Sequence, residues 1–177
     1  PNTYMGMSYA IGEFPPGEKK YLRSLYVYYN LALAHRIAYK VLKSRHKHLK
    51  IAPALQINNV VPARKNNVID KMMVFAEQYF YWWFMDRARH YDFVGMNHYF
   101  TDVRKGFSLL GLQPEPHNDM GFYMDPSGIE FAIRKSHKKL KKPILITENG
   151  VADRDDQYRL WWITETIHAL ANARRSG

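Results

Sequence analysis

The chain of 177 residues contains no cysteine. That absence removes disulfide frameworks, thiolate metal sites and thiol nucleophiles together, and it is compatible with a reducing compartment. Long apolar runs are missing too: none approaches the roughly 18 to 20 residues that span a bilayer. The opening Pro1-Asn2-Thr3-Tyr4 has neither an initiator Met nor a charged-then-apolar leader. The expectation is a soluble, cytoplasmic chain without a membrane partner, either processed or a piece of something longer. Acidic residues are scarce beside basic ones, 16 against 26, for a formal charge of +10. The cations gather at Lys19-Lys20, from Lys43 to Lys50 and from Arg134 to Lys142. Phosphate contacts would be one use for them. No nucleic-acid recognition motif accompanies them, however, and two of the clusters precede strand-like runs, where helix C-termini favour positive charge. Solvated helix ends are expected, and no nucleic-acid partner.

What is present points to a packed domain. At 46% hydrophobic and 15% aromatic residues, the chain is too apolar for disorder, and its length suits one domain over 1–177. Glu18 to Ser44 is expected to be helical, with Leu22, Leu25, Tyr26, Tyr29, Leu33 and Ala34 at three- and four-residue spacing. Lys50 to Ile57 is expected to be a strand weakened by Pro53. A Met- and aromatic-rich helix comes next over Asn66 to Arg89, then a strand from Tyr91 to Asn97. Thr101 to Met124 has glycines and prolines without periodicity, the composition of a long loop. Asp125 as N-cap with Pro126 behind it opens a helix toward Leu140. Pro143 to Thr147 is the continuous apolar pattern of a parallel strand buried on both faces. The last helix, Asp156 to Arg175, carries Leu160, Ile163, Ile167 and Leu170 on one face, with Gly177 beginning its exit. Such alternation implies a parallel sheet covered by helices. An open doubly wound sheet and a closed (β/α)8 barrel both fit it, and no glycine-rich phosphate loop comes after any strand.

In parallel α/β folds the C-terminal strand ends face the active-site mouth. Here those ends carry Gln56 with Asn58 and Asn59, then Asn97 with Tyr99, then Glu148. A carboxylate mounted at the end of an apolar strand is held rigidly at the rim of the core. Asn97 and Tyr99, two apart, share a strand face. A tyrosine hydroxyl beside a carboxylate can keep it ionised and aimed.

The words of the sequence narrow this further. Ile146-Thr147-Glu148-Asn149-Gly150 resembles the nucleophile motif of glycoside hydrolase family 1, the β-glucosidase family. Asp92-Phe93-Val94-Gly95-Met96-Asn97-His98-Tyr99 looks like that family's sixth-strand motif, which ends in Asn-x-Tyr. Gly12-Glu13-Phe14-Pro15-Pro16-Gly17 is similar to its loop after the fourth strand, and Tyr29 to His35 to its fourth helix. Trp83 to Asp86 and Asp119-Met120-Gly121 fit as well, all in family order. His35, on a packed helix, is expected to be structural. His98 stands where the family often has an aromatic residue, and the connection from Asp86 to Tyr91 is short for the family.

The resemblance implies a partial (β/α)8 TIM barrel, from about the fourth βα loop through the seventh helix. It implies a retaining β-glycosidase with Glu148 as nucleophile, Tyr99 orienting it and Asn97 in support. The family's acid/base glutamate belongs to an Asn-Glu-Pro motif. Pro1-Asn2 looks like the pair immediately C-terminal to that glutamate, so the acid/base is expected to be missing from the chain. So are the first three strands, the eighth strand and a Trp- and Glu-bearing sugar-binding loop. No cofactor or metal is implied. The expected partners are a small β-glycoside or oligosaccharide and the missing part of the barrel. Another retaining barrel glycosidase or transglycosidase, and a non-enzymatic basic binding module, are the alternatives.

Overall fold

The computed structural model describes residues 1–108 and 111–175, so the expected exit at Gly177 lies outside the described residues. In chain order the elements are α1 (Asn2–Met5), a π-helical turn (Gly6–Ile11), α2 (Tyr21–Arg45), β1 (Ala54–Gln56) and β2 (Asn59–Pro62). Then come α3 (Val68–Ala88), β3 (Val94–His98), β4 (Thr101–Arg104), α4 (Gly128–Leu140), β5 (Ile144–Asn149) and α5 (Arg159–Arg175). Strands β1, β3 and β5 form one sheet in that order, and β2 pairs parallel with β4 in a second. This is the α/β order of a barrel segment, and the described residues form no closed barrel. Among the described residues no helix is long and apolar enough to cross a membrane.

One compact unit comprises Pro1–Gln56, Phe80–Met96 and Lys142–Leu145. Its core joins α2 to the C-terminal half of α3. Buried Tyr28 stacks on Trp83 with ring centroids 5.7 Å apart and packs against Phe84 at 4.9 Å. Its hydroxyl donates to the Phe80 carbonyl at 3.3 Å, and burial pushes its pKa far up. The strand β1 is shorter than expected because Pro53 has no N–H for the ladder. Its carbonyl still accepts from Gly95 at 3.2 Å. Gly95 is needed there, since a Cβ would lie 3.0 Å from Ala54 Cα and from the Pro53 oxygen. Just before β3, Asp92 accepts from the Ile51 N–H at 2.8 Å, the Tyr39 hydroxyl at 3.2 Å and Lys43 at 2.9 Å. Lys43 first, then the Ile51 amide, hold its carboxyl down at about 2. One basic cluster thus has a structural member. His35 donates from Nε2 to the His90 carbonyl at 2.8 Å.

The other unit comprises Ile57–Tyr79, Asn97–Lys141 and the chain from Ile146 onward. Here the expected loop after Thr101 begins as a strand, β4, in register with β2 from Asn59↔Thr101 to Pro62↔Arg104. Four-residue strands are too short for periodicity to reveal. The Thr101 hydroxyl donates to Asp125 at 2.6 Å, and the Ser127 hydroxyl donates to the same carboxylate at 2.6 Å. Asp125 therefore closes a turn instead of capping a helix, and α4 starts later, at Gly128. Helices α4 and α5 pack together, beside a core of Met124, Val151 and Trp162.

Three expected faces are corrected. On α2 the buried residues are Ser24, Tyr28 and Ala32, whereas Leu22, Leu25, Tyr26 and Tyr29 are exposed. On α5 the buried face is Trp162, Thr166, Ala169 and Ala173, and Leu160, Ile163 and Ile167 point outward. Small residues let helix backbones approach closely, so they mark the packed side better than the bulkier stripe does. The strand β5 is not buried on both faces: it is the last strand of its sheet, and Leu145 is exposed.

Candidate active site

All three expected site residues fall in the unit that contains Ile57, Asn97 to Lys141 and Ile146 onward. The Ile57 N–H donates to the Asn97 carbonyl at 2.9 Å, fixing the end of β3. From there three successive positions of β5 are tied. The Thr147 hydroxyl donates to Asn97 Oδ1 at 2.6 Å. The Tyr99 hydroxyl donates to Glu148 Oε2 in a short hydrogen bond. Asn149 Nδ2 donates to the His98 carbonyl at 2.7 Å, and the buried Trp162 indole N–H donates to Asn149 Oδ1 at 3.1 Å.

Burial, and then Glu148 itself, push the Tyr99 phenol up to about 12, so at neutral pH it remains a donor. Glu148 is solvent-exposed at the strand end, open to a reactant, while the side chains of both its neighbours are hydrogen-bonded to the end of β3. Asn97 does not touch the carboxylate; it holds the preceding residue. His98 faces inward and is fully buried, with Nδ1–H donating to the Ile57 carbonyl at 3.0 Å. Burial lowers its pKa, which makes it a neutral packing residue.

Sequence reasoning missed Thr147, Asn149 and Trp162 as members of this cluster. The first two were visible only as letters of a motif, and nothing in the spacing of α5 singled out Trp162. Of the other strand ends, Asn59 donates to Thr101 at 3.3 Å. In the first unit, the Gln56 carbonyl and N–H are clasped by the Asn2 carboxamide at 2.6 and 3.1 Å, as a neighbouring strand would do. No group of three His, Cys, Asp or Glu able to hold a metal occurs among the described residues.

The C-terminal strand ends of this βα segment thus carry a solvent-exposed carboxylate that accepts from a tyrosine hydroxyl. Residues 1–90 match the model of Glycosyl hydrolase family 1. The chain belongs to that family. It is 25% identical over its whole length to a β-galactosidase of Saccharolobus solfataricus, spanning 43% of that enzyme. Over 49% of the chain it is 32% identical to the galactolipid galactosyltransferase of Arabidopsis thaliana, covering 14% of that protein. In three dimensions it resembles the β-glycosidase from Pyrococcus horikoshii with a TM-score of 0.86 and 26% identity, over 99% of this chain and 47% of that one. The chain thus spans less than half the length of these relatives.

Proposed function

We propose that this chain forms a single partial catalytic domain carrying the nucleophilic part of a retaining β-glycosidase, with Glu148 as the nucleophile. A Glu148 oxygen attacks the anomeric carbon as the glycosidic C–O bond breaks, giving a glycosyl-enzyme. A second carboxylate protonates the departing oxygen and then deprotonates the water that releases the sugar. The two carboxyl groups of such a pair lie about 5 to 5.5 Å apart. By the family resemblance, the second one is the glutamate of the family's Asn-Glu-Pro motif. Tyr99 aims Glu148 through its hydroxyl, and Asn97 steadies it through Thr147. The observation that carries this reading is the Tyr99 hydroxyl on Glu148 at the open end of β5.

The substrate on this reading is a small β-glycoside or oligosaccharide, and the mechanism requires neither metal nor organic cofactor. A cytoplasmic setting belongs to the same proposal. Transfer is a second reading: a sugar hydroxyl replacing water would intercept the same glycosyl-enzyme, and the galactosyltransferase of Arabidopsis among the relatives favours keeping it.

A 2-fluoro glycosyl donor with a good leaving group tests the nucleophile. In the assembled barrel, the label is expected on the peptide containing Ile146 to Gly150. Glu148→Gln is expected to lower kcat roughly 10⁴-fold or more. A label mapped elsewhere, or turnover surviving that substitution, sinks the assignment. The chain alone is expected to cleave an aryl β-glucoside far more slowly than a whole enzyme, since one carboxylate cannot serve as both nucleophile and acid.

A further inference from the structure

Tyr99, Asn97 and Thr147 have parts in the reaction proposed above; Asn149 and Trp162 have none. Asn149 follows Glu148 directly and is exposed, so packing does not fix its carboxamide. Two hydrogen bonds do. Its Nδ2 donates to the His98 carbonyl at 2.7 Å, and its Oδ1 accepts from the Trp162 indole at 3.1 Å. An indole N–H only donates and a carbonyl only accepts, so the two partners together dictate one orientation of the amide. With either partner alone, the amide can swivel about its remaining bond.

Trp162 is a rigid anchor for that amide. It is fully buried beside Met124 and Val151, and its indole N–H needs an acceptor there. The helix that carries it, α5, is pinned at its start. Asp153 Oδ2 accepts from the Tyr158 and Arg159 N–H groups at 2.6 and 2.9 Å. The Arg159 guanidinium in turn donates to the Asp153 carbonyl at 2.8 Å and to the Val151 carbonyl at 3.4 Å. The connection from β5 to α5 is also tied by the Asp119 N–H, which donates to the Ala152 carbonyl at 3.0 Å. It returns α5 to the strand just before it, where the indole reaches the residue after Glu148. One side chain, Asn149, thereby joins α5 to the end of β3.

We propose that Trp162 is a positioning residue for the Glu148 nucleophile, acting through Asn149; this rests on the reading of Glu148 given above. Thr147 on Asn97 and Asn149 on His98 secure β5 to the end of β3 on both sides of Glu148. Because β5 is the last strand of its sheet, these side-chain bonds supplement a ladder on one edge only. Without the indole N–H the carboxamide turns to water, the strand end loosens from β3, and Glu148 drifts from the Tyr99 hydroxyl. A displacement of about 1 Å can cost roughly 10²-fold in rate. Such an effect acts on the rate of attack and leaves the affinity for sugar alone.

The rate at which 2-fluoro-β-glucosyl fluoride labels the assembled barrel tests this. A Glu148 oxygen bonds to the anomeric carbon as fluoride leaves with the C–F electron pair. The departing group needs no proton, so the rate constant reports on the nucleophile. Trp162→Phe keeps an aromatic ring in the core and removes the N–H. It is expected to lower the saturating rate constant about 10- to 100-fold. Half-saturation should stay within about twofold of the parent, and the same fraction of molecules should be labelled. Asn149→Ala, on an exposed residue, is expected to match it and serves where the ring exchange disturbs folding. The double variant is expected to be no slower than the single ones, since all remove the same link. An unchanged rate constant in either folded variant overturns the proposal. Losses that multiply in the double variant, or a fall confined to the labelled fraction, mark a packing role; these overturn it and leave Glu148 as the nucleophile. Label outside Ile146 to Gly150 in the parent overturns the Glu148 reading, and this proposal with it.

Discussion

Tyr99 works as a donor because its environment disfavours phenolate, and this has two measurable consequences. Removing the hydroxyl by Tyr99→Phe deletes one hydrogen bond to a charged group. In the assembled enzyme, glycosyl-enzyme formation should slow about 10- to 100-fold. The second consequence concerns alkali. An unfolded tyrosine titrates near 10, whereas native Tyr99 is pushed up to about 12. The stability this difference supplies is fully present below pH 10 and is lost as pH rises toward 12, because the unfolded state releases its proton first. Unfolding free energies of the parent and Tyr99→Phe, compared from pH 9 to 12, should converge over that window; a constant gap would contradict the assignment. At this scale the sequence pointed to side chains that the structure brings together at one strand end. Glu148, Tyr99 and Asn97 were legible from strand-end position and motif. What holds them was not: Asn149 is bound by Trp162, 13 residues on, and by the His98 carbonyl, 51 residues back, and no local pattern encodes either pairing.

At the scale of elements, Gly95 shows how tightly β1 and β3 are laid together. With Cβ contacts of 3.0 Å to backbone atoms, Gly95→Ala must push β1 aside. Overpacking of this kind costs about 1–3 kcal/mol, which urea unfolding would register as a lower midpoint at unchanged slope. Asp92 offers a test at the opposite pH extreme. Its carboxyl is held down at about 2, below an unfolded value near 3.9. The stability it contributes is present above pH 4 and is lost as pH falls toward 2. Asp92→Asn should therefore be less stable than the parent at pH 6 and nearly equal to it at pH 2, measured by thermal melts. The order and type of the long elements could be read from periodicity, with ends shifted by a few residues. The inward faces of α2 and α5 could not, since each has two candidate faces and the bulkier one is outermost. Strands β2 and β4 escaped because four residues hold too little pattern.

For the whole molecule, the exposed rows on α2 and α5 and the open edge at β5 set solution behaviour. A charge of +10 keeps copies apart at low ionic strength. Added salt screens that repulsion and leaves the apolar rows free to meet. Light scattering should thus show association rising with salt, and Leu160→Glu with Ile167→Glu should suppress it without lowering the melting temperature. The sheet order has a consequence in time as well. Neighbouring strands β1 and β3 start at Ala54 and Val94, and β3 and β5 at Val94 and Ile144, so every pairing in that sheet awaits the meeting of segments forty or fifty residues apart. Helices can gather within microseconds, but a sheet assembled only from such distant parts forms on the slower scale of long-range topologies. During that interval the chain is a set of amphipathic helices in search of their strands, the stage at which a chaperone would have most to hold.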